Sequence, residues 1–366
     1  MKDKTGSMIS SKQLIFVIIG AQFGLGVFSL PRVVSEYAGK DAWIAVILSA
    51  IIPIISLYLI ERLGKRMPDQ NFIQMTTALF GKYIGSFLII LFIAYVIAFE
   101  SLVVRIYAEV TKLYLLPKTP LTVVLLMYIF TIIYIGSKGA RVLGRINEFM
   151  FYLLLLSFMF LLLPLGQSDY TNLLPVGESG LKGIAQGAFT SAYYFAGTEI
   201  LLVFYTLVNK KEEVMKAGLT AIGIVTALFC AMVIIGELVF GTYGLQKIIW
   251  PGLVLLKVAQ IPVIERLEFI FLFVWLGTGA RPTINMGFAA SLSLSQLLRI
   301  DEQKYHIYSL VFVGLGIFIL ALLPHDVLAA FKLAEYAGYG FFVMGVGYPL
   351  LYHLAAFWRG GVRMYV

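Results

Sequence analysis

Residues 20–32 read GAQFGLGVFSLPR, and they lie inside the first long apolar run of the chain, 12–34. Gly20, Gly24 and Gly26 weaken a helix there, and Pro31 removes a backbone donor near its far end. A helix interrupted at mid-membrane frees N–H and C=O groups that lipid leaves unsatisfied, so such a break persists only against protein or a water-lined cavity. In membrane folds built from internal repeats, interrupted helices of this kind line the substrate site. The stretch therefore predicts a membrane-embedded fold with a binding surface at mid-depth.

The remainder of the chain agrees. Hydrophobic residues make up 60% of its 366 positions and charged residues 13%, with a mean hydropathy of +0.91, which excludes an ordinary soluble globule. Runs of spanning length, roughly 20 residues each, fall at 12–34, 42–61, 84–115, 120–136, 147–165, 183–207, 217–240, 264–298, 305–323 and 334–357. Ten transmembrane helices are expected. The third and eighth runs exceed the bilayer core and should tilt, kink or extend beyond it. The first run continues through Leu30 without a small-residue cleavage site, so it is expected to stay in the protein rather than leave as a signal peptide. Cys230 is the only cysteine, so no intramolecular disulfide is possible.

The formal charge of +8 reads as topology rather than as nucleic-acid affinity, because basic residues cluster at span ends. Lys2, Lys4 and Lys12 precede the first span. Arg62, Lys65, Arg66 and Lys82 follow the second, Lys138, Arg141 and Arg145 the fourth, and Lys210, Lys211 and Lys216 the sixth. Arg299 and Lys304 follow the eighth, and Arg359 and Arg363 the last. Fewer occupy the opposite loops, so the positive-inside rule predicts that both termini are cytoplasmic.

No long polar linker divides the chain, and a single transmembrane domain, 1–366, is expected. Five spans on either side of the loop Gly166–Lys182 would have opposite orientation, which is the arithmetic of an inverted repeat, 12–165 and 183–357. The first helix of each half carries the glycine cluster: Gly20–Gly26 in one, Gly183, Gly187 and Gly197 in the other. For any single glycine the alternative is close helix packing. The paired clusters favour paired breaks.

Intramembrane charge points to function by default. Glu199 follows Gly197-Thr198 inside the sixth span and is a coupling or gating carboxylate, or else a structural acid bonded to loosened backbone. Glu100 and Arg281 also lie inside spans, and either Glu100 or Glu199 could supply the counter-charge that Arg281 needs. Arg105 and Glu109, four apart, predict a structural ion pair on one helical face. Glu265, Arg266 and Glu268 read as a solvated cluster, and Glu237 and Glu335 as interfacial. His306, His325 and His353 are isolated, so no metal site is predicted. Gly24-Leu25-Gly26 lacks the preceding strand of a nucleotide loop. No cofactor and no enzymatic activity are expected.

If the first and sixth helices break face to face, N–H groups around Gly24 and Gly26 would bind a carboxylate at the positive end of a helix dipole. Carbonyls around Ala196, Gly197 and Thr198 would accept from an ammonium. Tyr95 and Phe99, four apart, with Phe195 and Thr278, would shape the side-chain pocket. A zwitterionic amino acid fits this pattern.

Six stretches carry a family resemblance in order along the chain: GLGVFSLPR (24–32), RIYAE (105–109), NLLPVGESGLKGI (172–184), GTEILL (197–202), IIWPG (248–252) and IERLEFIFLFVW (264–275). Together they resemble the membrane-embedded B subunits of bacterial spore germinant receptors, within the amino acid–polyamine–organocation superfamily. The resemblance implies a leucine-transporter-like five-plus-five fold with a ligand site between spans one, three, six and eight. It also implies residence in the inner membrane of a spore, assembly with an A subunit and a lipoprotein C subunit, and a small-molecule germinant as ligand. No cation site is evident, and the fifth span holds no lysine within 149–165. A receptor is therefore expected ahead of an amino acid transporter working by alternating access.

Overall fold

Ser10 opens the first helix through a capping box: its hydroxyl accepts from the Gln13 N–H (3.1 Å), and the Gln13 side chain accepts from the Ser10 N–H (3.0 Å). Asn71 and Gln74 repeat the device at 2.8 and 3.0 Å. Near the other end of the chain, Asp326 caps a helix by accepting from the Ala329 N–H at 2.7 Å. These signals and the apolar runs between them sort the chain into helices.

The computed structural model describes residues 8–24, 26–258 and 267–358. Lys2, Lys4, Leu25, Arg359, Arg363 and the Glu265–Arg266 part of the expected outer cluster lie outside them. The described residues form ten crossings, five in each half. The first is α1 (Ser11–Gln22) with α2 (Gly26–Ala38), and the second is α3 (Ala42–Ser49) with α4 (Ile51–Arg66). The third, fourth and fifth are α5 (Phe72–Tyr114), α6 (Leu121–Gly136) and α7 (Ala140–Phe160). In the second half, α8 (Gly180–Ser191) and α9 (Leu201–Phe204) make the sixth crossing, joined by 3-10 turns, and α10 (Val214–Lys247) the seventh, trailed by α11 (Pro251–Val258). The eighth is α12 (Leu267–Gly279) with α13 (Arg281–Leu297), the ninth α14 (Glu302–Ala321). The tenth joins α15 (Val327–Gly338) to α16 (Tyr348–Trp358) through a π-helical turn at Phe342–Gly347.

Of the two overlong runs only the eighth is divided within its bounds; the third, 84–115, continues as one helix, and the kink in α5 precedes it. The α5 helix turns at Gly81 (φ 77°, ψ 174°), which separates its first two turns from the crossing proper, and the eighth crossing is divided at Ala280. Near its end α10 bends in the same way, at Gly241 (φ 63°, ψ 166°), one residue past the expected end of the seventh span. Beside that bend Glu237 is fully buried and accepts from the Thr242 hydroxyl at 2.9 Å. Near the end of its span it is thus covered by protein, because the bend folds the chain end over it.

The two halves interlock. The α1 helix packs on α7, α10 and α13, whereas α8 packs on α2 and α3, and α5 lies against α13 and α14. The first crossing is thus enclosed by elements of both halves. Its polar clamp is an amide pair: Asn147 Nδ2 donates to Asn285 Oδ1 at 2.8 Å, and Asn285 Nδ2 returns a bond to Asn147 Oδ1 at 3.0 Å. Asn285 Nδ2 also donates to the Val17 carbonyl (3.2 Å) and Asn147 Nδ2 to that of Leu143 (2.9 Å). These bonds tie α1, α7 and α13 together where lipid offers no competing partner. A Cβ on Gly20 would stand 1.9 Å from Asn147 Oδ1. Gly20 therefore belongs to regular α1 and serves close approach rather than the break; Gly183 and Gly187 likewise sit within α8.

The face that carries the N-terminal segment is sealed by backbone pairing. The Ile9 N–H donates to the Leu207 carbonyl (2.8 Å) and the Asn209 N–H to that of Ile9 (3.0 Å), and Lys12 pairs with Glu148 at 2.7 Å. At the opposite face the buried Asp41 carboxylate accepts from the N–H groups of Gly177 (2.6 Å) and Ser179 (3.0 Å), anchoring the loop between halves.

Candidate functional site

The first crossing leaves helical geometry at Phe23 (φ −88°, ψ 86°), whose N–H still bonds the Ile19 carbonyl. The Gly24 N–H turns back on the Gln22 carbonyl at 3.1 Å, and α2 begins at Gly26. In the sixth crossing, residues Ala192–Phe195 tighten into a 3-10 turn, Ala196 is extended (φ −55°, ψ 138°), and Gly197 takes φ 125° before a second 3-10 turn at Thr198–Ile200. Gly197 is there for two reasons. Its φ disfavours any side chain, and a Cβ would lie 2.7 Å from the Ala21 carbonyl carbon and oxygen.

Side chains satisfy the backbone that the breaks release. Gln22 Nε2 donates to the Phe195 carbonyl (3.1 Å) and to Thr198 Oγ1 (2.7 Å), spanning the break in the sixth crossing from the edge of the break in the first. Glu199 Oε2 accepts from the Gly197 N–H at 2.8 Å and its Oε1 from the Tyr95 hydroxyl at 3.0 Å. One turn further along, the Ser29 and Tyr194 hydroxyls share a bond of 2.9 Å.

Between the breaks lies a cavity of about 20 Å³ lined by Ala21, Gln22, Gly24, Gly26, Phe99, Val103, Tyr193, Tyr194, Ala196 and Pro282. That volume holds about one water. A second cavity of about 330 Å³ lies beyond it, lined by Ser29, Arg32, Val33, Ile249, Leu328, Phe331, Lys332 and Glu335. Tyr193 and Tyr194 line both, with ring centroids 4.1 Å apart. The tyrosine pair is the partition between the inner cavity and the outer one.

The structure thus brings Gly24, Gly26, Phe99 and Ala196 together around one space. Tyr95 stacks on Phe99 (6.0 Å, 7°) and is spent on Glu199. Phe195 packs edge-on to Phe229 at 5.2 Å and offers only its carbonyl. Gly197 and Thr198 stand behind the cavity wall, bonded to Glu199 and Gln22. Thr278 lies apart, its hydroxyl on the Trp275 carbonyl at 3.0 Å. Arg105 and Glu109 do pair, at 2.9 Å, and Arg105 Nη1 also bonds the Ala321 carbonyl at 3.0 Å.

Arg281 is 1% exposed. Its Nε donates to the Thr278 carbonyl at 2.7 Å, and among the described residues neither Nη has a hydrogen-bond partner. Neither Glu100 nor Glu199 forms an ion pair with it; none of the ion pairs among the described residues includes Arg281. Glu100 lies instead beside Thr283, its Oε2 unpartnered.

Gln22, Tyr193, Tyr194 and Pro282 escaped the sequence reading. A signal existed for the first: Gln22 and Ser29 are the only polar side chains between Leu14 and Leu30, and both reach across to the sixth crossing. Tyr193 and Tyr194 carried no such mark among 21 tyrosines.

The family model described as "Spore germination protein" matches residues 8–327. The spore germination protein YndE of Bacillus subtilis (strain 168) is 27% identical over 361 residues, covering 96% of this chain and 97% of its own. Among solved structures, a substrate-bound, outward-open Na+-coupled sialic acid symporter superposes with a TM-score of 0.70 at 12% identity, over 96% of this chain and 80% of that one. MhsT in complex with L-phenylalanine gives 0.63 at 16% identity, over 98% and 90%. At such identities the two structures speak to the fold alone, the leucine-transporter fold with broken first and sixth helices.

Proposed function

Because the chain belongs to the spore germination protein family, a family of multi-pass membrane proteins and not of enzymes, we propose that it is the nutrient-sensing membrane subunit of a germinant receptor. In this reading a small molecule, an amino acid by the chemistry of the breaks, binds between the first, third, sixth and eighth crossings. The signal passes to an A subunit and a lipoprotein C subunit in the inner spore membrane, with both termini cytoplasmic. The observation that carries the reading is the pair of backbone breaks facing one cavity, bridged by Gln22.

The cavity of about 20 Å³ is too small for an amino acid, so binding has to displace the Tyr193–Tyr194 partition or draw the two breaks apart. That requirement suits a sensor, in which the ligand selects the wider state. Moving a population from 1:99 to 99:1 takes about 5.5 kcal/mol of differential affinity. Carboxylate and ammonium contacts formed only in the wider state would supply it, as Gln22 and Glu199 exchange their present partners for the ligand.

Spores carrying Gly24→Ala, Phe99→Ala or Thr198→Val test this. The expected outcome is a changed nutrient preference or a germination response at least 10-fold less sensitive, with the protein present at normal level. An unchanged response in all three would overturn the placement.

The second reading, an amino acid transporter, draws on the likeness to symporter folds. It requires the Ile9–Leu207 and Asn209–Ile9 backbone bonds to open in every cycle. Liposomes containing only this protein separate the two: accumulation of labelled amino acid favours transport, and saturable binding without accumulation favours the receptor.

A further inference from the structure

A groove of about 610 Å³ lies between α5, α6, α7 and the two halves of the eighth crossing. Its walls are apolar and its rim is exposed: Met127 is 55% and Phe273 77% exposed, so at this depth it opens to lipid. Tyr128 and Met150 line it, and Gly277 leaves one side open, with no atom within 4 Å of where its Cβ would stand. The volume falls within the 300–1,000 Å³ of small-molecule sites.

Arg281 lines the same groove, and both of its Nη atoms lack hydrogen-bond partners among the described residues. It interacts with Tyr107, whose hydroxyl is likewise buried and unpartnered. A guanidinium carries five donors and no acceptor, and a buried charge calls for an opposite one. No ion pair among the described residues supplies it. Apolar walls do not select among ligands here, because lipid tails are as apolar as the groove. The head group does: an anion matched to a planar fork, on a body compatible with the bilayer interior. A carboxylate meets the fork through two parallel hydrogen bonds. A phosphodiester stays ionised and therefore at the interface, whereas a carboxylic acid can reach mid-membrane in its protonated form, and Arg281 stands near the middle of a crossing that runs from Leu267 to Leu297.

We propose that this groove binds a fatty-acid-type carboxylate from the bilayer, its head on the Arg281 guanidinium and its chain along Met127, Met150 and Phe273. The site adjoins the central one, since Pro282, the next residue, lines the inner cavity.

The test uses the full-length protein in phosphatidylcholine nanodiscs, a photoactivatable long-chain fatty acid, its methyl ester as the uncharged control, and peptide mapping of the adducts. The acid is expected to label the groove residues at least 10-fold more than the ester does. Arg281→Met should abolish that preference. Gly277→Leu, which fills the groove and leaves Arg281 in place, should abolish labelling there altogether and covers the case in which the arginine variant fails to fold. Absence of groove labelling by the acid, or equal labelling by acid and ester, would overturn the proposal. Displacement of the acid by phosphatidylglycerol as readily as by unlabelled fatty acid would overturn the choice of a carboxylate.

Discussion

One helical turn separates Arg281 from Asn285 on α13, and the two positions solve the same problem in opposite ways. Both are buried polar side chains near mid-membrane. Asn285 is matched by Asn147 in a reciprocal pair and by the Val17 carbonyl. Arg281 spends one donor on the Thr278 carbonyl of α12, the preceding half of its crossing, and its two Nη atoms have no hydrogen-bond partner among the described residues. A fully matched polar network in a low dielectric fixes one arrangement of the helices that share it. An unmatched one marks a place where a partner is missing. The contrast separates the rigid part of this molecule, α1 held against α7 and α13, from the part with room for something else.

The comparison is broken most severely by Gly20→Ala, which pushes a methyl group to 1.9 Å from Asn147 Oδ1. Overpacking and the disrupted amide pair together should cost about 3 kcal/mol, read as a lower unfolding midpoint in mixed micelles. Asn147→Leu should cost about 2 kcal/mol, because Asn285 is left with an unmatched amide. The double variant Asn147→Leu/Asn285→Leu should cost less than the sum of the singles, and a double-mutant cycle with no coupling would refute the clamp. Arg281→Met should go the other way, stabilising the protein by about 1 kcal/mol, since an uncompensated buried charge is replaced by an apolar chain. A loss as large as that of Asn147→Leu would show that Arg281 is matched after all. Smallest of all, Tyr107→Phe removes a hydroxyl with no partner and should stay within about 0.5 kcal/mol of the parent protein.

Much of this was legible from residue order. The ten crossings followed from apolar run length, the division of the eighth from a run too long for a bilayer, and the two broken helices from glycine clusters in corresponding positions. The site was legible only in part. Gly24, Gly26, Phe99 and Ala196 surround one cavity, yet half of the clustered glycines proved to be packing residues within regular helix, because glycine serves both purposes with the same sequence signature. Phe195 and Thr278 point to Phe229 and to the Trp275 carbonyl, contacts that residue order alone does not fix, since a rotation of a helix by one residue turns a side chain by about 100°.

The sequence by itself determined that the chain lives in a membrane, how often it crosses, and where its first and sixth helices lose their hydrogen-bond ladders; these are local properties of composition and periodicity. Only the tertiary structure decided what the freed groups and buried charges meet. That Gln22 bridges the opposite break, that Asn147 finds Asn285 from 138 positions away, and that Arg281 finds no acid among the described residues are outcomes of contacts between distant segments. In a bilayer every polar group must find its partner within the protein or in a ligand, and which of the two applies depends on the packed arrangement rather than on the neighbours in sequence.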